Sequence, residues 1–248
     1  MRRTIQILAA AAALSLSAGA HAGTVSIVKS DGIVAAIPGF SSFVANGASM
    51  AGMTVSATFW NASTQSFATE SGIWAASGAT SGGVTGTNWS LSVGGDTFNS
   101  AWSFGLEGSG SLTLTRLVLD GSPGLTVFDT ASPTPGTEGS ENGSDFAFDN
   151  GTCASCTATV TYTNAVKLGS SDPLGDVFHK MTIQFASDPG APADTISYLG
   201  PRSNWSFKQD TDSDSTYTPP PAVPEPASLA LVGLALAGLG LSRRRRSA

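Results

Sequence analysis

Between Gly23 and about Asp214, apolar side chains recur at every second position in short runs, and no stretch keeps a helical apolar period beyond a turn or two. Successive side chains of an extended chain point to opposite faces, so each such run offers one apolar face that another layer must cover. Val55, Ala57 and Phe59 alternate with Thr54, Ser56 and Thr58. Trp89, Leu91 and Val93 alternate with Ser90 and Ser92, and Gly94-Gly95-Asp96 is read as the turn of a hairpin into Phe98–Phe104, where Trp102 and Phe104 share a face. Leu112 and Leu114 have the opposite parity to Leu117 and Leu119, so a bulge near Arg116 is expected to restore one buried face before Asp120-Gly121 ends the strand.

Further strands are expected at Leu125–Phe128, Ala158–Tyr162, Val177–Phe185, Thr195–Leu199 and Trp205–Lys208, and surface loops at Ser77–Thr87 and Ser132–Ser144. About eight to ten short strands broken by Gly, Asn, Asp and Pro predict an all-β fold. The expected form is an antiparallel β-sandwich of jelly-roll or lectin-like type, with a barrel as the alternative. No internal repeat emerges.

The two ends read differently. Arg2 and Arg3 precede an uncharged stretch over Ile5–Leu16, and small residues then lead to Ala20-His21-Ala22. This is the pattern of a secretory signal peptide over residues 1–22, with a short signal helix, cleavage directed by Ala20 and Ala22, and Gly23 as the mature start. At the other end, a Pro-rich linker over 215–222 leads into Val223-Pro224-Glu225-Pro226, an apolar segment Ala227–Leu241, and the cluster Arg243, Arg244, Arg245 and Arg246. As a helix, the apolar segment would span roughly 22 Å against a bilayer core of about 30 Å, so it crosses only with thinning or help from its basic flank. The Arg cluster holds the tail on the cytoplasmic side and leaves the body, 23–214, outside.

The tail, 223–248, resembles the PEP-CTERM sorting signal of exported bacterial proteins in its motif, its apolar helix and its Arg cluster. The resemblance implies that Val223, Pro224, Glu225 and Pro226 are recognised by an exosortase, a membrane enzyme that processes its substrates near this motif. It also implies transient residence in the inner membrane and association with exopolysaccharide or biofilm. Part of the body is similar to that of some PEP-CTERM proteins, through Leu117–Gly121, Val127-Phe128-Asp129 and Gly175-Asp176-Val177-Phe178, a resemblance that carries no activity.

Charge narrows the partners of the body. Six of the 12 Lys and Arg residues leave with the two ends, whereas Glu225 is the one acidic residue of 18 that does, so 6 basic face 17 acidic residues and the body carries −11. Such a surface repels nucleic acid and anionic lipid.

Candidate chemistry is sparse. His179 is the one histidine left after signal cleavage; its parity with Val177, Met181 and Ile183 leans it toward an apolar face, and no Gly-x-Ser-x-Gly elbow accompanies it, so no catalytic residue is assigned. Cys153 and Cys156 are expected to pair in the oxidising envelope, a local disulfide contributing about 2 kcal/mol. Asp210, Asp212 and Asp214 stand at alternate positions, a spacing that can wrap oxygen ligands around calcium. Ser215 and Pro221 occupy the places where an EF-hand loop needs Gly and Glu, so the run is read as a solvated acidic strand end, with calcium the alternative and no other cofactor. Sequons begin at Asn61, Asn88, Asn142, Asn150 and Asn204, as a composition this rich in Ser and Thr yields by chance.

These features predict a non-enzymatic exported protein of the cell surface or matrix. A carbohydrate-binding module using exposed Trp or Tyr, or a secreted hydrolase, are the alternatives.

Overall fold

A computed structural model describes residues 23–30, 34–107, 110–132, 143–149, 152–187 and 198–214. The signal peptide, the linker, the sorting tail with its helix, most of the Ser132–Ser144 loop and residues 195–197 of one expected strand lie outside the described residues. Of that strand, Tyr198 makes an isolated bridge to Ser187.

The described chain is all β apart from one 3-10 turn, Ser122–Gly124. In chain order the strands are β1 (Thr24–Lys29), β2 (Ala35–Ile37), β3 (Thr54–Asn61), β4 (Ser66–Ile73), β5 (Ala75–Ala76), β6 (Ser81–Thr85), β7 (Trp89–Gly94) and β8 (Trp102–Leu106). They continue as β9 (Leu112–Asp120), β10 (Thr126–Asp129), β11 (Ala147–Phe148), β12 (Thr157–Leu168), β13 (Val177–Phe185), β14 (Trp205–Lys208) and β15 (Asp210–Ser213). One sheet of nine strands runs β1-β12-β13-β9-β3-β4, with β10 beside β13, β15 beside β10 and β2 beside β12; the second, of six, runs β11-β14-β8-β7-β6-β5.

The alternating runs supply the inner faces of both sheets. Val55, Ala57, Phe59, Leu117, Leu119, Ile183 and Phe185 from the first sheet meet Leu91, Trp102, Phe104, Trp205 and Phe207 from the second in one buried cluster. Trp102 stacks on Phe207 with ring centroids 5.6 Å apart, and Trp205 meets Phe185 edge-on at 5.6 Å. Each buried aromatic contributes on the order of 2–3 kcal/mol by leaving water. The outward face of β3 pairs its hydroxyls with those of β4, Ser56 with Ser71 at 2.7 Å and Thr58 with Thr69 at 2.9 Å.

The expected bulge in β9 is present. Thr58 pairs with Arg116 but Phe59 pairs with Leu114, which leaves Thr115 as the extra residue, its hydroxyl donating to Thr58 O at 3.0 Å. Leu114 and Leu117 therefore both face the core despite their parity.

Four expectations are corrected. β7 and β8 do pair, but through a loop over 95–101 rather than a tight turn; Asp96 Oδ1 accepts from Phe98 N–H there, and Phe98 is exposed. The loop expected over Ser77–Thr87 contains β6, because Gly82 runs so close to Gly47 that a Cβ would meet its carbonyl oxygen at 2.0 Å. Its glycines mark a tight backbone approach, fastened by Trp74 Nε1–H donating to Gly47 O at 2.8 Å. The first sheet is not wholly antiparallel either, since β1 and β2 both run parallel to β12. Parallel partners need no short turn between them, so nothing local in the sequence announces the pairing. The fourth correction is the acidic run itself: Asp210–Ser213 is a buried strand, not a solvated end.

Candidate functional site

β15 pairs antiparallel with β10, which places Asp210 directly opposite Asp129 and Asp212 opposite Val127. Strand alternation then puts Asp129, Asp210 and Asp212 on one side of this pair, while Thr211 turns the other way to Met50 Sδ and the Thr97 hydroxyl. One carboxylate oxygen from each of Asp129, Asp210 and Asp212 lies within 4.8 Å of the other two. The three residues are 1 %, 6 % and 0 % exposed.

The surroundings explain the burial. β10 is covered on both faces, Phe128 lying in the main core and Val127 in a second apolar cluster with Ile37, Val166 and Val177. The other edge of β15 is closed by Ser41 and Ser42, whose N–H groups donate to Ser213 O at 2.8 and 3.3 Å. Beneath β15, Gln209 ties the layers together. Its Nε2 donates to the backbone carbonyls of Asp129, Ser144 and Asp210, its Oε1 accepts the Tyr162 hydroxyl, and its own carbonyl accepts Trp102 Nε1–H at 2.9 Å. Burial raises the pKa of the Tyr162 hydroxyl, so it stays a neutral donor.

Burial also governs the carboxylates. It pushes Asp210 up to about 6, against hydrogen bonds from Thr211 N–H and the Thr97 hydroxyl that favour the ionised form. Asp212 is pushed up to about 7, by burial first and then by the negative charges of Asp210 and Asp176. Two hydrogen bonds reach the Asp210 carboxylate, both on Oδ1, at 2.8 Å from Thr211 N and 3.3 Å from Thr97 Oγ1. Asp212 accepts no hydrogen bond on either carboxylate oxygen. Among the described residues the salt bridges to a lysine or histidine join Lys29 to Asp145 at 2.9 Å and His179 to Asp214 at 3.8 Å, and neither reaches Asp210 or Asp212. Chemically, the arrangement can share a proton or hold a hard cation.

Of the expected metal set, Asp210 and Asp212 come together and Asp214 does not; it turns to the buried His179, and Asp129 takes the third place. The alternating spacing alone could not supply Asp129, 81 residues upstream of Asp210. A signal was nevertheless present, because Asp129 follows Val127-Phe128 in an apolar strand, where a carboxylate is costly without a partner. The three segments that resemble other PEP-CTERM bodies also meet here, as β9, β10 and the start of β13 are neighbours in the sheet.

Elsewhere, Cys153 and Cys156 form a disulfide with Cα atoms 5.2 Å apart, beside a groove of about 530 Å³ that also takes in Tyr198 and Arg202. Gly23 packs against this loop, where a Cβ would meet Cys153 O at 2.7 Å. All five tryptophans are buried, so none offers the exposed platform considered for sugar binding. Among the described residues Phe67 and Phe98 are exposed instead, and Phe67, 55 % accessible, lies against Trp60 and Tyr198 at 5.0 and 5.8 Å.

Comparison with known families bears on the tail. The PEP-CTERM protein-sorting motif matches residues 222–246, leaving the β body outside the match. No curated protein and no solved structure matches the chain. This chain therefore carries a PEP-CTERM protein-sorting motif at its carboxy terminus, which supports an exported protein sorted by an exosortase.

Proposed function

We propose that the chain is a non-enzymatic protein of the cell surface or extracellular matrix, cut at its tail by an exosortase-type membrane enzyme and retained with exopolysaccharide. The sorting motif over 222–246 carries this reading. The signal peptide delivers the body across the inner membrane, and the marginally short apolar helix with its Arg cluster holds it there until processing. Pro224 and Pro226 keep the backbone extended around Glu225, which suits recognition at the junction of body and membrane. The sandwich, read as of jelly-roll or lectin-like type, is the cargo. A hydrolase would use carboxylates flanking a substrate cleft; the three that converge are buried.

The test is replacement of Pro224, Glu225 and Pro226 by alanine, followed by carboxy-terminal peptide mapping of protein from the cell surface. Wild-type protein is expected to lack Arg243–Arg246, and the triple variant to remain uncut in the inner membrane. Wild-type surface protein ending at Ala248, or equal release of the variant, overturns the reading. A second reading, carbohydrate binding, is favoured by one observation, the exposed Phe67 ring backed by Trp60 and Tyr198. Retention on exopolysaccharide that is lost in Phe67→Ala would select it.

A further inference from the structure

We propose that Asp129, Asp210 and Asp212 form a calcium site inside the exported body, joining β10 to β15. The first observation is convergence: three carboxylate oxygens lie within 4.8 Å of one another on two paired strands. The second is independent of it. Asp212 is 0 % exposed and accepts no hydrogen bond on either oxygen, although its side chain is aimed at the other two carboxylates. A buried carboxylate in that condition has lost its water and gained no donor, and a cation restores what was lost.

The chemistry of the donors names the ion class. An all-oxygen anionic set suits a hard divalent cation rather than zinc or copper. Calcium binds oxygen at about 2.3–2.6 Å, so its ligands can stand up to about 4.6–5.2 Å apart, and the three oxygens already fit on one such sphere. Magnesium holds ligands at about 2.0–2.1 Å in a strict octahedron and keeps its water, a harder demand on a site closed by apolar neighbours. Asp210 keeps the most exposure of the three, 6 %, and marks the side from which an ion enters. Its Oδ1 is held by Thr211 and Thr97, which fixes the carboxylate in place while Oδ2 is left for the metal. Asp176, whose charge acts on Asp212, adds to the negative potential.

The site is independent of sorting, so the test uses purified protein. The full chain, solubilised in mild detergent and stripped with EGTA, is titrated with calcium chloride and with magnesium chloride at pH 7.5 by calorimetry and by thermal melting. Calcium is expected to bind with Kd on the order of 0.1–1 mM, as in extracellular modules. At a hundredfold excess over Kd it should raise Tm by about 5–10 °C. Asp212→Asn should weaken calcium binding by about tenfold or more, since a charged hard ligand becomes a neutral one. Asp210→Asn, which keeps Oδ1 for Thr211 and Thr97 and so preserves the fold, should do the same. The exposed Asp172→Asn should change nothing. No heat and no rise in Tm with calcium would mean a cluster that only shares protons and would overturn the proposal. So would Asp212→Asn and Asp210→Asn proteins that keep the full calcium shift.

Discussion

The space between the two sheets and the β10–β15 pair are equally buried, yet they are held by opposite means. Between the sheets, Trp102, Phe104, Trp205 and Phe207 meet Phe185 and Leu117, and every contact is gained by leaving water. At β10–β15, backbone pairing and the side chain of Gln209 hold Asp129, Asp210 and Asp212 out of water, which works against the fold. Burial that stabilises one region raises the free energy of the other unless a proton or cation answers it. The contrast separates the burial that keeps this body folded from the burial that leaves Asp212 without a hydrogen-bond donor.

The largest effect should come from emptying the apolar region. Trp102→Ala removes a fully buried ring stacked on Phe207 and leaves Gln209 O without its indole donor. It is expected to cost about 3–5 kcal/mol in urea denaturation, whereas Phe67→Ala, on the surface, should change stability by less than about 0.5 kcal/mol. Next comes the joint between the regions. Gln209→Leu strips the donor from three backbone carbonyls and the acceptor from the Tyr162 hydroxyl, and should cost about 3 kcal/mol. A loss as small as that of Phe67→Ala would show that β15 is not fastened through Gln209.

The two regions also differed in how far the sequence disclosed them. Alternation exposed β3, β7, β9, β13 and β14, because a strand with one face on a core must write its period of two into the chain. Even the bulge at Thr115 was visible, as a change of parity between Leu114 and Leu117. What escaped was structure without an apolar period. β4 leaves its two large apolar residues, Phe67 and Ile73, exposed, β6 is Gly-rich, and β1 finds its parallel partner more than a hundred residues away. β15 escaped for a sharper reason. Asp-Thr-Asp-Ser carries no hydrophobic free energy, so local reasoning assigns it to solvent, and its burial is decided by β10, Ser42 and Gln209. Burial also changed the site, replacing Asp214 with a residue that no spacing rule connects to it.

Smaller effects probe the acidic region alone. In chelator at pH 7.5, Asp212→Asn should melt above wild type, since it removes a buried charge that accepts no hydrogen bond. A lower Tm would mean the carboxylate is stabilising as it stands. The pH profile of chelated protein follows from the same groups. Burial pushes Asp210 up to about 6 and Asp212 up to about 7, above the usual carboxylate range, so between that range and these values the folded state holds more protons than the unfolded one. Their contribution to stability is full below about pH 4 and is lost as pH rises through about 6 and 7. Tm measured in chelator should therefore show this decline for wild type and a shallower one for Asp212→Asn; identical slopes would mean that Asp212 titrates normally.

The most direct measurement is hydrogen exchange followed peptide by peptide, comparing β15 with β8 in chelator and in calcium. Without calcium, the amides of Asp210–Ser213 are predicted to exchange faster than those of Trp102–Leu106, because the acidic region opens without disturbing the apolar one. Calcium should then slow β15 by about tenfold or more and leave β8 unchanged. Equal protection of the two strands in chelator, with no response of β15 to calcium, would contradict the division of this body into an apolar region that folds it and an acidic region that a cation completes.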